Sequence, residues 1–303
     1  MRTSAFPVSV GMATREAGEL TYRALESVIP QLERDDELVV VFTGRDGAKV
    51  DPLADWLGRH CPAARLLMRL RAGASGARNA VLEAVRYPIV CFLDDDETAE
   101  PGWLAAHRRG WVEAPADLAV IGGPTHAEWD GGRPPWLRDH LLYVVSFRDL
   151  GDERLVLDGR PGKGFAWAGN MSVRTSAVMA VGAFDPLLGP RPGVPFARGE
   201  EEELQHRLVE AGWQVWYEPT ARIRHHIRRE RLSLDYVRNI RAWNARSEAT
   251  EPHALRHGLI RLARSAARYT YGLLRRDQVE RQVALLGISY ALTLVRAALV
   301  ARS

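Results

Sequence analysis

Two runs of consecutive apolar residues, Leu38-Val39-Val40-Val41-Phe42 and Ile89-Val90-Cys91-Phe92-Leu93, constrain the fold of this chain more than any other feature. Neither run alternates with polar residues, so a strand built from either must be buried on both faces. That is the condition of a parallel sheet with helices packed on each side. Strand-like VSVGM (8–12) and RLLMRL (65–70) fit the same sheet. The intervening segments read as helices. Ala17 to Leu32 carries Leu20, Ala24, Leu25 and Val28 at helical spacing, Pro52 opens a short helix, and Ser75 to Val85 makes a third. Alternation of this kind implies an α/β fold whose ligand crevice lies at the carboxyl ends of the strands.

The fourth strand ends in Asp94-Asp95-Asp96-Glu97-Thr98, with a helix start at Pro101. Adjacent carboxylates repel, so three of them at a crevice call for a cation. Further on, LAVIGGP (118–124) and WQVWYEP (213–219) read as strands. GEEEELQHRLVEAG (199–212) reads as a helix marked by Leu204, Leu208 and Ala211 and capped by Gly212. The proline- and glycine-rich segments 130–135 and 189–195 read as loops over the crevice.

With 46% hydrophobic residues the chain can bury a sizeable core, which excludes wholesale disorder. Cys61 and Cys91 are its two cysteines; a disulfide framework and a cysteine zinc site are excluded, and a reducing compartment is expected. Strand-like FPVSV so near residue 1 leaves no room for a secretory signal, which predicts a cytoplasmic protein.

The net charge of +3 hides an asymmetry, because from Arg222 onward 17 arginines face six acids. Such a basic region suits anionic lipid, a phosphate-bearing substrate or nucleic acid. No nucleic-acid module accompanies it, so nucleic acid is not an expected partner. Residues 253–303 predict two helices. The first carries a stripe of Leu255, Leu259, Leu262, Ala266, Tyr269 and Leu273 beside Arg261, Arg264, Arg268 and Arg275. In the second, about 14 uncharged residues end at Arg296, short of the roughly 20 that a membrane span needs. The expectation is packing on the protein or peripheral contact at the inner face of the membrane.

Two chemistries suit the aspartates. Asp94-x-Asp96-x-Thr98 after an apolar strand resembles the nucleophile motif of haloacid-dehalogenase-type phosphatases, with Lys163 and Glu200 to Glu203 as later partners. Alternatively, a D-x-D motif holds a divalent ion against the diphosphate leaving group of a nucleotide sugar.

Five stretches, in order, resemble family 2 glycosyltransferases of GT-A fold over about residues 6–247. They are VSVGMATREAGELTYRALESV, RAGASGARNAVLEAV, FLDDDETAEPGWL, WAGNMSVRTSAVMAVGAFDPLLG and GEEEELQHRLVEAGWQVWYEPTARIRHH. The resemblance implies a Rossmann-like, mostly parallel sheet flanked by helices, with a helical C-terminal extension. The implied GT-A domain covers 1–250, with a nucleotide-sugar half (1–115) and an acceptor half (116–250), followed by a basic helical extension over 251–303. It also implies an inverting transfer from a UDP-, dTDP- or GDP-sugar, assisted by Mn2+ or Mg2+. The acceptor would be a natural product, a lipid-linked glycan or a surface glycan.

Carried over by position, Glu201 is the catalytic base, and Thr14, Arg15, Arg78, Asp94 and Asp95 bind the donor. The metal falls to Asp94, Asp96 and His225, and the acceptor to Trp167, Gly169, Asn170, Glu200 and Glu203. The pattern is broken in three places. The second strand ends without its usual acid, for which Asp46 substitutes; the opening motif keeps only Thr14-Arg15; and glutamate replaces the usual aspartate at 201. These departures leave a third reading, a catalytically degenerate GT-A binding protein.

Overall fold

The computed structural model describes residues 6–44, 50–158, 164–194, 196–249 and 253–301. The chain forms two compact units. One comprises Met1–Glu128, Ser146–Pro195 and Gly199–His226; the other comprises Trp129–Val145, Phe196–Arg198 and Ile227–Ser303. The expected division at 250/251 and the halves at 115/116 do not match these units.

In the first unit, β1 (Ser9–Thr14), β2 (Glu37–Phe42), β3 (Arg65–Met68) and β4 (Ile89–Leu93) pair in parallel in the order β3-β2-β1-β4. Helices α1 (Glu19–Val28), α2 (Val50–His60) and α3 (Ala74–Ala84) connect them. The apolar runs are buried on both faces, as their sequence requires. Leu38, Val40 and Phe42 enter one core with Leu25, Leu53 and Trp103, while Val39 and Val41 enter the other with Ala77, Val81 and Phe184. At about 25 cal/mol per Å² of buried apolar surface, these two cores are the main source of the unit's stability.

Beyond β4 the chain adds β5 (Glu97–Ala99), α4 (Trp103–Val112), β6 (Leu118–Gly122), β7 (Thr125–Trp129) and β8 (Leu155–Leu157). It continues through β9 (Asn170–Arg174), α5 (Thr175–Ala180), α6 (Glu200–Glu210), β10 (Gln214–Tyr217) and β11 (Ile223–Ile227). The large sheet is mixed. β9 lies antiparallel between β4 and β6, and β8 closes the edge antiparallel to β10. In this register Leu93 stands opposite Asn170, so the WAGN segment meets the chain where the aspartates begin. A small sheet of β5, β11 and β7 pairs Glu97 with His225.

The second unit is helical: α7 (Leu234–Glu248), α8 (Ala254–Leu274) and α9 (Gln278–Val300). Ser233 caps α7 and Asp277 caps α9 through their side-chain oxygens. The boundary falls before α7 because Ala245 and Ala249 share a core with Ala254, Tyr290, Leu294 and Ala298. Arg261 also donates to Glu248 at 2.8 and 2.9 Å, tying α7 to α8. α9 is longer than its uncharged stretch suggests. Its 23 residues are long and apolar enough to cross a membrane by length and composition, and 39% of its most apolar window is buried within the protein.

Candidate active site

Thr14 marks the buried end of β1, and its hydroxyl donates to Asp95 Oδ2 at 2.6 Å. Two of the predicted donor residues therefore meet across the ends of adjacent parallel strands. Arg15 follows on the exposed side of the same turn. Asp46, the substitute for the missing base-reading acid, lies outside the described residues, as does Lys163.

Arg78 stands in α3 with 6% of its surface exposed. One guanidinium nitrogen donates to both oxygens of Asp94 at 2.9 and 3.2 Å, and the other donates to Glu200 at 3.1 Å. Burial opposes the Arg78 charge, but Asp94, Glu200 and Glu201 outweigh it and hold its pKa above the ordinary value. Arg78, expected at the donor diphosphate, is thus a cation shared between two carboxylates. Desolvating a guanidinium is costly, and two charge-assisted partners offset that cost. Glu200, predicted on the acceptor side, is 5% exposed, and its carboxyl lies against Gly189.

Glu201 follows in the first turn of α6, entered through Gly199 at φ 96°. Its Oε2 is buried without a hydrogen-bond partner. Burial first, then the neighbouring Glu200, pushes this carboxyl well above the usual carboxylate range, while Arg78 opposes the shift. A desolvated carboxyl with one open oxygen is suited to exchanging a proton with an incoming hydroxyl.

The expected metal trio does not converge: among the described residues, no group of three His, Cys, Asp or Glu side chains is placed to hold an ion. Asp94 is turned toward Arg78 instead. Asp96 and His225 do meet, with Oδ2 and Nε2 3.5 Å apart and both side chains largely buried. His225 lies on β11, and the neighbouring His226 amide donates to the Asp96 carbonyl at 2.9 Å, which fixes the aspartate loop against that strand. The carboxylate oxygen suits Mn2+ or Mg2+, ions that complete their shell with water and substrate phosphate, and an imidazole nitrogen beside it favours Mn2+ over Mg2+. The pair fits a divalent ion.

The residues expected on the acceptor side are placed as follows. Asn170 is fully buried and saturated by protein. Its amide donates to the Pro124 and Ala221 carbonyls at 2.8 Å each, and its oxygen accepts from Trp103 Nε1 at 2.8 Å. Glu203 accepts from Arg207 one turn on, at 2.5 and 2.7 Å, and Arg207 also reaches the Val181 and Ala183 carbonyls. Gly169 is a close-packing position beneath Glu97. Trp167 is half-buried, with a buried Nε1 that has no hydrogen-bond partner.

Two groups escaped the sequence reading. Glu97 is 4% exposed and accepts from the Asp94 amide at 3.2 Å; burial, reinforced by Asp94 and Asp96, pushes its carboxyl well up. The apolar-to-acidic switch at Leu93/Asp94 flagged the segment but could not separate this residue from its neighbours. Arg148 is 5% exposed, with its guanidinium 5.0 Å from the Phe165 ring centre and 5.1 Å from that of Trp167. No local pattern marks it.

The protein has the GT-A fold. Two solved structures share it: GalNAc-T7 with UDP, GalNAc and Mn2+ (TM-score 0.57, 16% identity, 83% of this chain and 51% of that one), and a mannosyltransferase from Pyrobaculum calidifontis with GDP-Man and Mn2+ (TM-score 0.55, 15% identity, 97% and 73%). The chain belongs to glycosyl transferase family 2, whose model matches residues 9–182.

Among curated relatives, the chain is 28% identical over 207 residues to a pre-mycofactocin glycosyltransferase of Mycobacterium tuberculosis, covering 67% of this chain and 39% of that protein. It is 25% identical over 233 residues to a glucosyl-dolichyl phosphate glucuronosyltransferase of Haloferax volcanii, covering 76% and 72%. The match thus spans well under half of the mycobacterial relative. The phosphatase reading of Asp94 to Thr98 is overturned by the family membership.

Proposed function

We propose that this chain is an inverting glycosyltransferase that moves a sugar from a nucleoside-diphosphate sugar to an acceptor hydroxyl, with Glu201 as general base. The buried, unpartnered Glu201 Oε2 in the first turn of α6 is the observation that carries this reading. Its carboxylate takes the acceptor proton as the hydroxyl oxygen forms its bond to the anomeric carbon. The bond from that carbon to the diphosphate oxygen breaks on the opposite face, and the nucleoside diphosphate leaves with the electron pair. Asp96 and His225 are the residues that would hold a divalent ion, which supplies charge stabilisation for the leaving diphosphate. Thr14 fixes Asp95, and Arg78 fixes Asp94, at the floor of the donor site. Mn2+ accompanies UDP in one structural neighbour and GDP-Man in the other, so uridine and guanosine donors are the first to test.

Purified protein with Mn2+ and a panel of UDP-, dTDP- and GDP-sugars is expected to release nucleoside diphosphate in the presence of a suitable acceptor. Small natural products, lipid-linked glycans and surface glycans make up the acceptor panel. Glu201→Gln should lower kcat by about 10²–10⁴-fold while leaving donor affinity in place. Nucleotide binding without turnover across the panel would instead favour the degenerate binding protein.

The helical unit supports peripheral contact with an anionic bilayer. Leu259, Ile260, Tyr271 and Leu274 are exposed on α8 together with Arg256, Arg264 and Arg275. Apolar insertion and charge complementarity act together on such a face. Co-sedimentation with phosphatidylglycerol vesicles, and not with phosphatidylcholine vesicles, is the expected result; Leu274→Glu with Arg264→Glu should abolish it.

A further inference from the structure

Four arginines gather at the carboxyl ends of β1, β2 and β3. Arg15 follows β1, Arg69 and Arg71 follow β3, and Arg191 packs on the next turn, where a Cβ built on Gly73 would stand 2.7 Å from Arg191 Cβ. The backbone draws these positions together over the end of β2. The Arg69 amide donates to the Phe42 carbonyl at 2.9 Å and the Arg71 amide to the Thr43 carbonyl at 3.2 Å, while the Arg15 carbonyl lies beside Gly44. The Arg69 and Arg191 guanidiniums donate to the Met68 and Gly189 carbonyls at 3.0 and 3.2 Å, and among the described residues no carboxylate is paired with any of the four. Arg71 is held at φ 62°, in the left-handed region where a residue with a Cβ is strained, and such strain clusters at ligand sites.

The order of strands determines what this edge can meet. It runs β3-β2-β1-β4-β9, with the aspartates at the end of β4. The helix that bears Glu201 stands on the β9 side, where Gln205 is bonded to both backbone groups of Ala166, at 2.7 and 2.9 Å. A donor whose diphosphate sits at the aspartates and whose sugar faces Glu201 therefore has its nucleoside over β1, β2 and β3, in the crevice outside the strand ends.

We propose that the donor nucleobase is guanine, read by the Arg71 guanidinium, with Arg15, Arg69 and Arg191 supplying the surrounding positive field. This rests on the reading of the chain as a transferase that uses a nucleoside-diphosphate sugar.

The selection follows from donor and acceptor patterns. A guanidinium only donates, in a rigid fork. Guanine O6 and N7 are neighbouring acceptors that take two of its N–H groups in parallel. Uracil and thymine set an N3–H beside each carbonyl, which calls for an acceptor on the protein, and adenine and cytosine present an exocyclic amine that opposes a second donor. β2 ends in Phe42-Thr43-Gly44, so that strand end brings no carboxylate to receive an N3–H.

The test is calorimetric titration of the protein with GDP, UDP and dTDP in the presence of Mn2+, repeated on Arg71→Lys. GDP should bind at least about tenfold more tightly than UDP or dTDP. Inosine diphosphate, which keeps O6 and N7 and lacks the exocyclic amine, should bind like GDP; 7-deazaguanosine diphosphate, which lacks N7, should bind like UDP. Arg71→Lys keeps the charge and loses the fork, so GDP should weaken to the level of UDP while UDP stays within about twofold of its parent value. UDP or dTDP binding as tightly as GDP would overturn the proposal. So would inosine diphosphate binding as weakly as UDP, since the exocyclic amine would then be the group read. An equal loss for all three nucleotides in Arg71→Lys, or an intact GDP preference, would also overturn it and leave the arginines as charge for the diphosphate. Asp46→Asn is measured in parallel, and loss of the preference there beside an unaffected Arg71→Lys moves the reading to Asp46. If no nucleoside diphosphate binds, the donor reading itself falls; turnover of a UDP-sugar without a GDP preference defeats the guanine proposal alone.

Discussion

Gly169 lies directly against the carboxyl group of Glu97: a Cβ built on residue 169 would stand 2.1 Å from Glu97 Oε2. The same oxygen accepts the Asp94 amide, so this contact sets the height of the aspartate segment above β9. Gly169→Ala should therefore do more than fill space. Overpacking here is expected to cost about 1–3 kcal/mol in urea unfolding. By displacing Glu97 from the Asp94 amide, it should also raise donor KM.

Asn170→Ala separates a structural role from an acceptor role. Truncation leaves the Pro124 and Ala221 carbonyls and the Trp103 indole N–H without their buried partner. The expected loss is about 3–5 kcal/mol of stability, since each orphaned group costs about 1–3 kcal/mol and such costs are not fully additive. At a temperature where the variant remains folded, acceptor KM should match that of the parent.

His107 makes stability depend on pH. It is fully buried, lies 2.9 Å from Ser172 Oγ and packs edge-on against Trp103. Burial draws its pKa from 6.5 down to about 4. Below pH 6.5 the unfolded chain takes up a proton that the folded protein excludes. This contribution is therefore complete above about pH 6.5 and is lost as the pH falls toward 4, reaching about 3 kcal/mol. Unfolding midpoints measured across that window should fall with pH, and His107→Gln should flatten the slope.

Asp96→Asn and His225→Asn should each raise the Mn2+ concentration needed for half-maximal nucleoside diphosphate release by at least about tenfold. Asp94→Asn is expected to leave that midpoint nearly unchanged, because Asp94 serves Arg78. Equal shifts for all three variants would return Asp94 to the metal site.

What the sequence could reveal follows the range of the forces involved. Unbroken apolar runs such as Val39 to Phe42 dictate two-sided burial by themselves, and the helical stripe of α1 is as local. β5 and β8 have three residues each and owe their existence to pairing partners far along the chain. Antiparallel β9, likewise, is placed by its neighbours and not by its own pattern. The acidic start of α6 was legible as chemistry, but its division of labour was not. Glu200 goes to Arg78, Glu201 keeps an open oxygen, and Glu203 goes to Arg207 because of where α3 and the 181–183 turn stand. Arg148 needed the fold to bring Phe165 and Trp167 around it.

The shared guanidinium of Arg78 has a consequence for anyone redesigning this protein. Position 78 couples the aspartate segment at the end of β4 to the first turn of α6, so on the proposed reading a swap chosen to widen sugar tolerance would also reach Glu201, 123 residues further along the chain. Libraries that vary this residue alone should yield trade-offs, and pairing it with changes at 94 and 200 gives evolution a way to move both ends together.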